Sequence, residues 1–174
     1  MPRHALANDE RRFVASARVG RLATSTTQGR PHIVPVCFEL LDGDIYIGLD
    51  SKPKSVDVLK LRRVRNIASN PRAALMVDRY SDDWSQLGYV LIIARAALVL
   101  DEGERSDAVR ALRRKYVQYQ TLLPDDAPVI RLGPVRISSW GDLTPWEPSS
   151  ASEAEASSPE RAALTEHRSG RADV

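Results

Sequence analysis

Two runs of period-two hydrophobicity, joined by a tight turn, constrain this chain more than any other feature. Val34, Val36, Phe38 and Leu40 alternate through Pro31–Leu41, and Ile45, Ile47 and Leu49 alternate through Asp44–Leu49. Such alternation places one set of side chains on a single face of a strand. Asp42-Gly43 between the runs is a hairpin signal, since a two-residue turn of the favoured kind needs positive φ at both positions. Val19–Thr24 precedes them, with Thr27-Gln28-Gly29-Arg30 as the first turn. The opening third therefore reads as a three-stranded antiparallel meander.

The pattern then changes period. Val58, Leu61, Val64, Ile67 and Ala68 fall on one side of a helix predicted over residues 55–69, which Asn70-Pro71 ends. A shorter helix is expected from Asn8, as its N-cap, to about Ala17. Arg72–Tyr80 is a fourth strand. Leu87–Leu100 is a fifth, and its nearly continuous apolar run requires burial on both sides or a place at an interface. Asp101–Tyr119 reads as helical, and Val129–Trp140 as a sixth strand interrupted at Gly133-Pro134. The expected class is mainly β (α+β): a six-stranded antiparallel barrel with helical insertions.

Composition matters through its distribution. The formal charge is +2, but Glu147–Val174 holds six acids against three arginines, so the preceding 146 residues carry +5. Ser, Ala and Glu fill 17 of those last 28 positions. A segment of that kind buries too little apolar surface to offset its ordering entropy, so residues 147–174 are expected to be a disordered tail behind one domain, residues 1–146. The single cysteine, Cys37, excludes a disulfide framework or a Cys-rich metal site. No run reaches the ~18 apolar residues of a membrane span, and the first residues lack a signal-peptide core. A cytoplasmic protein is expected.

The sharpest local anomaly is basic. Six cations (Lys52, Lys54, Lys60, Arg62, Arg63 and Arg65) stand between residues 52 and 65 with one acid, Asp57. A solvated helix face would explain a charge run. Helical phase, however, puts Arg62, Arg63 and Asn66 opposite the apolar stripe, with Arg63 and Asn66 about one turn apart. Such a group suits a phosphate or a polyanion. His4, His32 and His167 have no partners at metal-ligand spacing, and His32 reads as a surface residue at the start of a strand. No serine sits in a nucleophile elbow, so no catalytic residue and no metal site is expected. Cys37 reads as a small buried hydrophobe. Trp84, beside the polar turn Asp82-Asp83, is either a lid on the core or a contact to a cofactor or second subunit.

The order Val19-Gly20-Arg21-Leu22-Ala23-Thr24, Gly29-Arg30-Pro31-His32, Val34-Pro35-Val36, Lys52-Pro53-Lys54, Arg63-Val64-Arg65-Asn66-Ile67, Asn70-Pro71-Arg72 and Asp82-Asp83-Trp84-Ser85 resembles the split-barrel flavin-binding proteins related to pyridoxamine 5′-phosphate oxidase. Within them it looks most like the branch that uses the deazaflavin coenzyme F420. The resemblance covers about residues 8–141 and implies a six-stranded split β-barrel that forms a homodimer, with a cofactor groove between protomers. It implies that Arg63, Asn66 and a cation upstream, Lys54, bind the cofactor phosphate, with Lys52 and Lys60 adding positive charge. It also implies that the strand at Pro35 and Val36 lies along the tricyclic ring and that Trp84 sits beside the cofactor.

Charge then bears on which cofactor. FMN ends in one phosphate, whereas the deazaflavin continues into an oligoglutamate tail. Six cations in fourteen residues exceed what one phosphate needs, which favours coenzyme F420, with FMN as the alternative. The expected function is hydride transfer from a deazaflavin to an activated double bond of a small-molecule substrate, the cofactor supplying the chemistry. An FMN-dependent oxidase or reductase, or a non-catalytic flavin-binding or storage protein, would need the same groove. Nucleic acid is not an expected partner: the basic stripe is short and has no interleaved aromatics.

Overall fold

The computed structural model describes residues 3–50 and 58–146. Four helices, α1 (Asn8–Ser16), α2 (Arg62–Ser69), α3 (Glu102–Lys115) and α4 (Tyr119–Leu122), accompany seven strands. These are β1 (Gly20–Ser25), β2 (Pro31–Val36), β3 (Glu39–Leu41), β4 (Asp44–Gly48), β5 (Arg72–Arg79), β6 (Gly88–Leu98) and β7 (Val129–Gly141). They form one antiparallel sheet in the order β2-β1-β5-β6-β7-β4-β3.

The predicted single strand Pro31–Leu41 is two strands, which makes seven rather than six. β2 pairs with β1 at one edge of the sheet, and β3 pairs with β4 at the other. Only Cys37 and Phe38 separate them. Three residue steps reach roughly 11 Å, so the sheet must curl until its edges nearly meet. The result is a barrel closed by the chain itself, without a ladder of hydrogen bonds between β2 and β3: a split barrel. Tyr116 fixes the crossing point. Its hydroxyl accepts from the Phe38 N–H at 3.0 Å and donates to the Phe38 carbonyl at 2.8 Å or the Arg18 carbonyl at 3.0 Å. Beside it, the Lys115 ammonium lies 4.3 Å from the Phe38 ring centre and 4.0 Å from Glu39 Oε1. The end of α3 therefore supplies the polar partners that a broken strand needs.

Other expectations are refined in similar ways. The Asp42-Gly43 turn is as expected, with φ of 53° and 94°. Helix α1 is capped at Ala7 rather than Asn8, and the buried Glu10 carboxylate accepts from the Ala7 N–H at 2.8 Å. The helix predicted over 55–69 is a 3₁₀ turn, Val58–Lys60, followed by α2; its first residues lie outside those described. The helix predicted over 101–119 stops at Lys115. β7 is not interrupted at Gly133-Pro134. A register shift between Ile93 and Ala94 opposite Pro134–Arg136 absorbs the proline, which has no N–H for the ladder.

Inside the barrel, Phe13, Leu22, Phe38, Ile45, Leu75, Val90, Ile92 and Leu132 are fully buried. A second cluster, including Leu112, Tyr116, Leu123 and Val129, packs α3 and α4 against β4 and β7. The apolar run of β6 alternates after all: Val90, Ile92, Ala94 and Ala96 face inward, while Ile93 is 39% exposed on the outer surface. Among the described residues, no helix is long and apolar enough to cross a membrane.

Candidate cofactor site

Helix α2 crosses one end of the barrel and is held there by asparagines one turn apart. Asn66 Nδ2 donates to Thr24 Oγ1 at 3.0 Å, and Asn70 Nδ2 donates to Ser25 Oγ at 3.0 Å. Asn66 is therefore buried against β1 rather than exposed opposite the apolar stripe. A short polar side chain can occupy a buried face when a hydroxyl on the facing strand satisfies it. Thr24 in turn stands directly opposite His32 on β2.

Arg63 follows from that placement. It is only part-exposed, and its Nε is buried with no hydrogen-bond partner among the described residues. Burial pulls its pKa down, while Asp50 and Tyr119 act in the opposite direction. His32 lies within the field of the same helix. Its pKa is lowered, first by burial and then by the Arg62 and Arg63 guanidiniums. His32, Thr24, Arg62, Arg63 and Asn66 thus converge at the α2 end of β1 and β2, with a net positive potential and an orphaned donor. This arrangement fits an anionic group such as a phosphate.

The remaining predicted residues are distributed unevenly around this cluster. Lys60 is exposed at the start of the helical segment. Lys52 and Lys54 lie outside the described residues. Pro35 is exposed on the outer face of β2, beside Ile33 at 65% exposure. Val36 points into the core at 7% exposure, which leaves it only its backbone for a ligand. Trp84 is 76% exposed in the 3₁₀ turn Trp84–Gln86, so it is no lid on its own core. It follows β5, whereas α2 precedes it. Eight residues of strand separate the two by roughly 23 Å, so the structure does not bring Trp84 to Arg63 within one protomer.

Sequence reasoning missed His32 and Thr24. The signal was available for His32, since the alternation that turns Val36 inward also puts His32 and Val34 on the part-buried face of β2. Cys37 is part-exposed rather than buried. Among the described residues there is no cluster of three or more metal-ligating side chains.

A testable consequence concerns His32. Its folded pKa lies below the ordinary value of 6.5. Stability contributed by the neutral ring is therefore present above about pH 6.5 and lost as pH falls through the lower folded value. An anion bound beside Arg62 and Arg63 offsets their potential, so the His32 titration followed by NMR should move upward when inorganic phosphate or a cofactor is added. A titration that does not move would remove His32 from the site.

Comparison with known proteins agrees with this architecture. A sequence model of the family described as pyridoxamine 5′-phosphate oxidase matches residues 7–141. A relative in Streptomyces rimosus subsp. rimosus, named 5a,11a-dehydrotetracycline/5a,11a-dehydrooxytetracycline reductase, is 30% identical over 129 residues, covering 74% of this chain and 78% of that one. A conserved hypothetical protein of Mycobacterium tuberculosis superposes with a TM-score of 0.64 at 20% identity, over 81% of this chain and 89% of the other. A protein named F420 reductase superposes with a TM-score of 0.54, also at 20% identity, over 72% and 93% of the two chains. The curled seven-stranded sheet, the matched residues and the reductase relative place this chain in the pyridoxamine 5′-phosphate oxidase family of split-barrel oxidoreductases.

Proposed function

We propose that this protein is a cytoplasmic, homodimeric oxidoreductase that uses coenzyme F420 to reduce a small organic substrate. The observation that carries the reading is the buried Nε of Arg63, unpartnered among the described residues, within the His32–Thr24–Asn66 cluster. A buried donor without an acceptor costs free energy unless a ligand supplies one. Arg63 and Arg62 would hold the cofactor phosphate, with Thr24 and Asn66 fixing the helix that presents them. Further cations at Lys52, Lys54 and Lys60 favour a cofactor that carries an acidic tail beyond its phosphate.

β2 is an edge strand whose outer N–H and C=O groups have no neighbouring strand among the described residues. Such an edge can hydrogen-bond a heterocycle that presents its own N–H and C=O groups. The exposed Pro35 and Ile33 add an apolar face beside it. The outward Ile93 and the half-exposed Met76 and Leu91 extend that face over β5 and β6. A second copy covering this surface would also bring its Trp84 toward the α2 end, which the Trp84 of the same protomer cannot reach. A bound, reduced deazaflavin would supply a hydride from its ring carbon to an activated double bond, and a proton from solvent would complete the reduction. The chain's part is to bind, orient and exclude water. The reductase relative and the F420 reductase with this fold support the reductive direction.

Titration with coenzyme F420 and, separately, with FMN tests the reading, following tryptophan fluorescence. Micromolar binding and quenching by the deazaflavin, with weaker binding of FMN, is the expected result. Tighter binding of FMN would reassign the protein to flavin chemistry, and binding of neither would remove the cofactor reading. Sedimentation at micromolar concentration should show a dimer.

A further inference from the structure

A second cleft lies on the other side of α2. It has a volume of about 700 Å³ and is open to solvent, bordered by the apolar side of the helix and by β6, β7 and the start of β4. That volume falls within the roughly 300–1,000 Å³ of small-molecule sites. Its walls are mostly apolar, with Pro71, Leu98 from β6 and Leu100, 87% exposed, at the mouth; Val64 and Ile67 of the helix lie beneath them and belong to the core. Three charged side chains line it: Arg95, Arg131 and Asp44.

These charges are not equivalent. Arg131 is committed, with its Nη1 3.2 Å from Glu104 Oε1 and its Nε 3.8 Å from Asp44 Oδ2. Arg95 has no ion pair or hydrogen bond to its side chain among the described residues. It also stands directly opposite Arg72 on β5. Like charges in directly opposed cross-strand positions destabilise a sheet, and Gly133, the partner of Arg95 on β7, offers no side chain to screen them. Two opposed guanidiniums, one of them lining a largely apolar cleft, make a site that gains stability when an anion enters.

We infer that this cleft binds a small amphipathic mono-anion, its carboxylate on Arg95 and its hydrocarbon body against Pro71, Leu98 and Leu100. The geometry of the guanidinium fork favours a carboxylate, which it can engage through two parallel hydrogen bonds. The remaining walls offer the ligand's body little hydrogen bonding, so a compact polar anion gains less there. The site is separate from the Arg63 cluster, which faces β1 and β2, and it does not depend on the identity of the cofactor.

Octanoate and octanol are suitable probes, measured by isothermal titration calorimetry against the full chain. Octanoate should bind saturably at one per chain, and octanol of the same length at least tenfold more weakly. Arg95→Gln should weaken octanoate at least tenfold. It should also raise the melting temperature of the ligand-free protein by roughly 1–4 °C, because it removes the repulsion from Arg72. This second readout shows that the variant is folded. Arg63→Ala should leave octanoate binding unchanged. Equal binding of the two probes, octanoate affinity insensitive to Arg95→Gln, or loss of octanoate binding in Arg63→Ala would each overturn the inference; the last would mean that octanoate enters the Arg63 site instead.

Discussion

Arg63→Ala should weaken binding of the deazaflavin by about 2–3 kcal/mol, a rise in Kd of roughly 30- to 150-fold, as expected for loss of a charge-assisted hydrogen bond from a part-buried donor. The same substitution should leave the ligand-free protein as stable as before, or more so. Burial disfavours the Arg63 guanidinium in the free chain, and its Nε has no acceptor among the described residues, so truncation removes a cost along with the charge. Asp50, which acts on Arg63 favourably, limits the gain. The expected signature is therefore a large loss of affinity without a loss of melting temperature. Parallel loss of both would mark Arg63 as structural and would move the phosphate site elsewhere. Arg65→Ala, on the exposed side of α2, is the matched control and should change affinity by less than about 1 kcal/mol.

The run of cations along one short helical segment and the one-turn spacing of Arg63 and Asn66 are legible in the residue order. What helical phase could not supply was the second surface that α2 touches. Counting apolar residues locates the stripe facing the barrel interior, but Asn66 is buried through a hydrogen bond to Thr24, 42 residues earlier. A polar side chain buried by a distant polar partner leaves no mark in a hydrophobic pattern. His32 was obscured for a different reason. Its alternation phase was readable, but the field of Arg62 and Arg63 depends on α2 folding over the end of β2. The sequence permits Trp84 as a lid or as a contact, and its exposure removes the lid.

The strands were read more completely than their connections. Turn chemistry located the Asp42-Gly43 hairpin, and alternation located the inward faces of β2, β3 and β4. The break between β2 and β3 was hidden because alternation continues through it: Val36 and Phe38 both point inward on either side of Cys37. A sequence with intact period two gives no sign that its hydrogen-bond partners change from one edge of the sheet to the other. Gly133-Pro134 marks the bulge in β7, although in sequence alone the pair resembles an interruption of the strand. A proline can sit in a ladder when an extra residue on its strand absorbs the missing N–H.

That hidden break carries the second large effect, Tyr116→Phe. The Tyr116 hydroxyl serves both the N–H and the carbonyl of Phe38, a residue with no exposed surface, across 78 positions of sequence. Removing one oxygen atom leaves both backbone groups buried without that partner, at about 1–3 kcal/mol for each group left unsatisfied. The ring and its packing in the cluster of Leu112, Tyr119 and Leu123 are retained, so the loss is one of hydrogen bonding rather than volume. Urea unfolding should show a stability loss of about 2–4 kcal/mol with an unchanged m-value. Because α3 reaches the crossing point only through its last turn, hydrogen exchange should be faster at Phe38 and Glu39 than at β6 in the variant. A loss below about 1 kcal/mol, with exchange at Phe38 unaltered, would show that barrel closure does not depend on Tyr116. The closure would then rest on the packing of Phe38 beneath Lys115.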